Sequence, residues 1–166
     1  MGMLAETSSY LCEDGRFCFC EIDAQSIPFK DASFDLVVAN HMLYHVPDIP
    51  RAIGEIRRVL RPGGHLAAAT NGADHMIELY DLAHQFDSGI HRENESAARF
   101  GLQNGDALLE PAFESRELFE YEDALWITEA VPLAQYFISL WGMGTWDESR
   151  SARLLDDLAG AGRICT

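Results

Sequence analysis

Phe34-Asp35-Leu36-Val37-Val38-Ala39-Asn40, the run from Asp48 to Arg61, and His65-Leu66-Ala67-Ala68-Ala69-Thr70 together decide the fold. The core of the first piece, Leu36 to Ala39, is apolar without alternation, the pattern of a strand covered on both faces of a parallel sheet. Asp48 is a good N-cap for the helix that follows, and Pro50 is tolerated in its first turn. Ile49, Ile53, Ile56 and Leu60 recur at i, i+4, i+7 and i+11 and make one continuous apolar stripe. Arg57, Arg58 and Arg61 lie near the helix C-terminus, where cations suit the dipole. Pro62-Gly63-Gly64 stops the helix, and His65 to Thr70 reads as the next strand. Strand, helix and strand with short joints make a βαβ unit, which implies a parallel sheet and a right-handed crossover.

Outward from this unit the pattern weakens. Upstream, Met3 to Leu11 carries a faint helical period that Asp14-Gly15 breaks. Arg16-Phe17-Cys18-Phe19-Cys20-Glu21-Ile22 is rich in aromatics and suits a strand, and residues 23–29 read as a loop because Pro28 forbids a helix. Downstream, helices are expected over residues 74–86, 130–141 and 154–158, a loop or lid with a short helix over 88–106, and a bulged strand from Glu117 to Thr128. No repeat, low-complexity tract or linker interrupts the 166 residues, so a single domain is expected.

Composition narrows the partners. Twenty-seven acidic residues against 12 basic ones give a formal net charge of −15. Such a surface repels phosphate backbones, which argues against nucleic acid and anionic membranes and leaves a small molecule or a cationic partner. No apolar run approaches the ~20 residues of a membrane span, and no secretory leader is recognisable at Met1-Gly2-Met3-Leu4, so a cytoplasmic location is expected. Cys12, Cys18, Cys20 and Cys165 form no disulfide framework or zinc spacing and are read as buried structural thiols. His41 and His45 have no third ligand at useful spacing, so no metal is expected.

Three pieces in fixed order carry a family resemblance: Asp23-Ala24-Gln25-Ser26-Ile27-Pro28-Phe29, Asp31 to Val38, and Glu55-Ile56-Arg57-Arg58-Val59-Leu60-Arg61-Pro62-Gly63-Gly64. With His45 they resemble the Rossmann-like S-adenosylmethionine-dependent methyltransferases of the ubiquinone/menaquinone-biosynthesis type, most strongly over residues 17–70. The resemblance implies an α/β fold, a mostly parallel sheet flanked by helices, with S-adenosyl-L-methionine as cofactor and a small-molecule methyl acceptor. It places Asp23 at the adenine amino group, Ala24 with its backbone amide against the ring, and Asn40 and His41 where the strand opens onto the methionine end. His45 or His41 would be the general base, and Tyr44 would face the sulfonium or the acceptor. The bland reading makes Asp23 a turn cap, and Tyr44 and His45 packing residues. Acceptor pockets are expected from residues 71–110 and from Tyr136 to Trp146.

The same family opens with an acid-ended strand, a glycine-rich loop, and a second strand ending in the acid that holds the ribose. Nothing before Asp23 matches either, so the fold is expected to lack its first two strands, and also its last. Each lost hydrogen bond to a buried ligand group is worth ~1–3 kcal/mol, against roughly 8 kcal/mol for a micromolar site. Weak cofactor binding by this chain alone is expected. The gap would leave the Leu36–Ala39 edge open, an aggregation hazard. Either the strand at 17–22 pairs directly with it, or a second copy of the chain completes the sheet. The rival reading is a non-catalytic remnant or interaction domain.

Overall fold

In the computed structural model, which describes residues 3–90, 95–121, 124, 126–142, 148–161 and 164–165, the apolar run becomes strand β1 (Phe34–Asn40). It pairs in parallel with β2 (Leu60–Ala69). Helix α2 (Ile49–Val59) connects them, and the Asp48 carboxylate caps it by accepting from the Arg51 amide at 3.1 Å. The stripe read from the sequence is the buried face: Ile49, Ile53 and Ile56 join Ala39, Leu43 and Phe100 in one core, with Val37 and Leu66 packed against it. Each such aliphatic side chain, fully buried, contributes about 1.5–3 kcal/mol. The strands therefore run parallel, as the βαβ reading requires.

β2 begins earlier than expected. It follows α2 without a break, and Pro62-Gly63-Gly64 lies inside it as an irregularity where the register jumps from Phe34↔Leu60 to Leu36↔His65. Gly63 sits in the left-handed region at φ 79°, and a Cβ on Gly64 would come within 3.0 Å of the Asp35 carbonyl oxygen. The glycines let the chain bulge and close again onto β1.

The strand expected at residues 17–22 does not form. The segment is irregular, its residues 18–22 make no backbone hydrogen bond among the described residues, and Phe17 is 47% exposed. Its alternation survives only as a stacked Phe17–Phe19 pair, 6.4 Å between ring centroids. β1 is paired on one edge alone among the described residues, with Leu36 and Val38 more than half exposed on the face away from α2. Direct pairing of 17–22 with β1 is thus overturned, for a strand needs a ladder partner as well as propensity. The buried-thiol reading fails with it, because Cys12, Cys18 and Cys20 are exposed; Cys165 belongs to a strand whose side chains are not described.

Contacts divide the chain into two compact units, residues 1–71 with 96–116, and residues 72–95 with 117–166. The first also holds α1 (Met3–Leu11), α4 (Glu95–Arg99) and α5 (Gly105–Leu109). The second is helical, with α3 (Ile77–Phe86), α6 (Ala130–Phe137) and α7 (Glu148–Ala161) burying Leu79, Ala83, Leu133, Phe137, Leu154 and Leu158. An ion pair between Arg150 and Asp87 ties α7 to the residue after α3. Of the strand expected over 117–128, the described residues form β3 (Trp126–Ile127), antiparallel to β4 (Ile164–Cys165), while residues 117–121 are irregular and exposed and 122, 123 and 125 lie outside the described residues. Beyond Phe137 the expected helix loosens into a π turn over Ile138–Gly142. No helix of the described residues is long and apolar enough to cross a membrane.

Candidate functional site

Four side chains, Gln25, Arg51, Glu55 and Arg58, pin the approach to β1. The Asp48 amide donates to Gln25 Oε1 at 3.0 Å and Arg51 Nε donates to the Gln25 carbonyl at 2.9 Å, so the turn Asp23–Ser26 sits at the N-terminus of α2. From there the chain descends along the helix. The Ile27 amide donates to Glu55 Oε2 at 2.9 Å, and Arg58 donates to the carbonyls of Ile27 and Phe29 and to Asp31, each at 2.8 Å. The Ala32 and Ser33 amides then donate to the carbonyls of Arg58 and Val59, and β1 begins. Because α2 runs back against β1, its N-terminus lies beside the carboxyl end of the strand. Asp23 and Asn40 therefore share one end of the parallel pair, where ligands of open α/β sheets bind.

Asp23 does what the bland reading said and keeps the means to do more. Its Oδ1 accepts from the Gln25 amide at 2.8 Å, and that bond, with a second from the Gln25 side chain, holds the carboxyl below its ordinary range. It is thus an ionised acceptor at neutral pH, exposed at the edge. Ala24 is half-buried against the core, and its amide donates to no described residue. An acceptor beside a free donor is the complement of an adenine edge, whose exocyclic amine donates and whose ring nitrogen accepts. The residues present fit that half of the cofactor; no described residue supplies a glycine loop or a ribose acid.

At the end of β1, Asn40 is exposed and the His41 amide closes the ladder onto the Ala69 carbonyl at 2.9 Å. His41 takes φ 49°, a left-handed conformation that turns the chain out of the sheet. A single 3-10 turn, Leu43–His45, follows: Leu43 is buried, Tyr44 is half-buried, and the exposed His45 ring lies 4.5 Å from the Tyr44 ring, centroid to centroid. Tyr44 thus both packs and backs the imidazole. Among the described residues no three His, Cys, Asp or Glu side chains gather as a metal site.

Several contributors escaped the sequence reading. Gln25 and Arg51 hold the Asp23 turn, and Thr70 Oγ1 donates to the Phe100 carbonyl at 2.6 Å beyond the end of β2. Glu55 and Arg58 stand i, i+3 on α2, a spacing that announces a pair but not its grip on residues 27–31. Arg58 lowers the Glu55 carboxyl from its usual 4.5 to about 2, helped by the Ile27 amide. A cleft of about 520 Å³ opens beside the same loops, lined by Pro47, Asp48, Ile49, Pro50, Arg99 and Leu108. Of the stretches expected to line an acceptor pocket, residues 91–94 and 143–147, with Trp146, lie outside the described residues.

Residues 2–68 match the model of the methyltransferase domain, which spans the Asp23 turn, β1, α2 and most of β2. That segment is similar to class I methyltransferases. The match is to the domain as such and specifies no quinone-related subgroup. Among curated relatives, 27-O-demethylrifamycin SV methyltransferase of Amycolatopsis mediterranei is 50% identical over 54 residues, 32% of this chain and 20% of the relative. Malonyl-[acyl-carrier protein] O-methyltransferase of Xylella fastidiosa is 35% identical over 107 residues, 61% of this chain and 35% of the relative. The human mitochondrial arginine-hydroxylase NDUFAF5 is 42% identical over 57 residues, 34% of this chain and 16% of the relative. The matched stretches thus span a minor part of these relatives. Among solved structures, the YcgJ protein of Bacillus subtilis is similar with a TM-score of 0.50 at 22% identity, covering 92% of this chain and 61% of that one, a likeness of fold.

Proposed function

We propose that this protein transfers a methyl group from S-adenosyl-L-methionine to a small-molecule acceptor, in an in-line displacement to which the chain contributes mostly positioning. The observation that carries the reading is the pairing of an ionised Asp23 carboxylate with the free Ala24 amide at the carboxyl end of the parallel strands. When bound, the cofactor supplies an electrophilic methyl on a cationic sulfur. Asp23 accepts from the adenine amine and Ala24 donates to the ring. Asn40 and His41 border the opening toward the methionine end. His45, backed by Tyr44, takes the acceptor's proton as general base.

Among the described residues no glycine-rich loop or ribose-holding acid stands beside Asp23 and Asn40, so binding by these residues alone is weak, above the micromolar range. Calorimetry of the chain with S-adenosyl-L-methionine tests that part, and a low-micromolar Kd contradicts it. In an active preparation, transfer of isotope-labelled methyl to an acceptor tests the whole. There His45→Ala slows turnover by ~10²–10⁴-fold, and unchanged turnover removes the base. The exposed edge of β1 is where a second copy would complete the sheet, which sedimentation at micromolar concentration reads directly.

A second reading has one observation in its favour. A relative that shares this segment is named an arginine-hydroxylase, so the frame occurs outside proteins named as methyltransferases. A protein of this ancestry without methyl transfer, a non-catalytic remnant or interaction domain included, would bind the adenine edge yet label no acceptor.

A further inference from the structure

Arg99 ends a short helix, yet its guanidinium reaches back across the chain. Nη2 donates to the Val46 carbonyl at 2.5 Å and to the Pro47 carbonyl at 3.4 Å, the two residues that follow His45. Its neighbours reinforce the grip. Phe100 is buried in the core beside Ala39 and Leu43, and its carbonyl accepts from Thr70. The Gly101 amide donates to Asn104 Oδ1 at 2.7 Å, and a Cβ on Gly101 would meet the Ala97 carbonyl oxygen at 2.5 Å, so the segment has no room to drift. The Leu102 amide donates to the Asn71 carbonyl at 3.3 Å. Residues 99–102 therefore clasp the loops leaving both strands at their carboxyl ends.

We propose that Arg99 is a positioning residue for the Tyr44–His45 turn. The physical case is one of constraint. The 3-10 turn closes only through the His45 amide on Met42 and the Val46 amide on Leu43, at 3.0 and 3.1 Å. Such a single turn is weak by itself. Its upstream end is fixed by the strand and the left-handed His41, whereas its downstream end, before α2 starts, is held by Arg99. A guanidinium suits this task because one planar group spans two carbonyls while remaining charged. Among the described residues the Arg99 guanidinium has carbonyls, not carboxylates, as its partners. In a chain of net charge −15, a cation spent on two carbonyls is the marked choice. The importance of that turn for methyl transfer rests on the proposed function; the clasp itself does not.

The test uses the 166-residue chain and its Arg99→Ala, Arg99→Gln and Arg99→Lys variants. In Arg99→Ala, exchange of the His45 and Val46 amides rises by about tenfold or more, as for a locally opened turn, and the ring-current shift of the His45 protons from Tyr44 collapses. Amides of β1 and α2 keep their protection. Arg99→Lys, still able to donate to one carbonyl, restores part of the shift, and Arg99→Gln restores less. Unchanged His45 shifts in Arg99→Ala overturn the proposal. So does loss of protection throughout the core in all three variants, which makes Arg99 a general stabiliser. In an active preparation Arg99→Ala lowers kcat with KM for the cofactor unchanged. Absence of any methyl transfer by the parent protein defeats the functional reading and leaves the exchange result standing.

Discussion

Residues 16–22 and residues 34–40 look alike in sequence, both short, apolar and rich in strand formers, yet they end differently. The second is a strand locked between α2 and β2; the first lies irregular and exposed. What separates them is the partner. β1 gains a continuous ladder from Leu36↔His65 to Asn40↔Ala69 and a buried face, whereas residues 18–22 find neither among the described residues. Strand propensity measures fit to a pleated, half-buried surface, and without the surface it has nothing to express.

That contrast breaks most sharply under truncation of side chains. Ile53→Ala empties a site that is 2% exposed in the core of the frame, and costs about 2–5 kcal/mol in chemical denaturation. Ile22→Ala, at a side chain 43% exposed, stays within about 0.5 kcal/mol. Equal effects would mean that the upstream segment is packed after all. Two glycines give a smaller effect of opposite signs. Gly54→Ala adds a methyl that meets no atom within 4 Å, and stabilises by about 0.5–1 kcal/mol. Gly63→Ala also meets nothing, but must hold φ 79°, and costs about 1–2 kcal/mol in the same assay.

The smallest effect is electrostatic. Glu55, with its carboxyl drawn from 4.5 down to about 2 by Arg58, favours the folded state fully above pH 4.5 and loses that contribution as pH falls toward 2. The sign follows from the unfolded chain binding the proton first. Glu55→Gln accordingly lowers the unfolding temperature at neutral pH and flattens its decline between pH 4.5 and about 2. A parallel decline in both proteins would show that the residue 27–31 anchor does not depend on this charge.

The frame was legible because its signals are periodic and local. The i, i+4, i+7 stripe, the Asp48 cap and the unalternating Leu36–Ala39 run each specify their element without reference to the rest of the chain. Asp23, Ala24 and Asn40 came from family likeness rather than from any local pattern; the fold sets the Asp23 turn at the N-terminus of α2 and Asn40 at the end of β1. The remainder depended on distance along the sequence. No spacing rule joins Arg99 to Val46, 53 positions apart, or Thr70 to Phe100, 30 apart. The failed strand at 17–22 is the converse, a local signal that no distant partner completed.

Methyl transfer at this end of the strands requires Asp23 and Ala24 to face the same ligand as Asn40 and His41. Backbone NMR of the chain titrated with adenosine to millimolar concentration measures this most directly. The expected shifts fall on the Asp23, Ala24 and Gln25 amides, with smaller ones at Asn40 and His41. Shifts confined to the opposite end of the strands, around Ala32, Asp35 and Arg61, would contradict it.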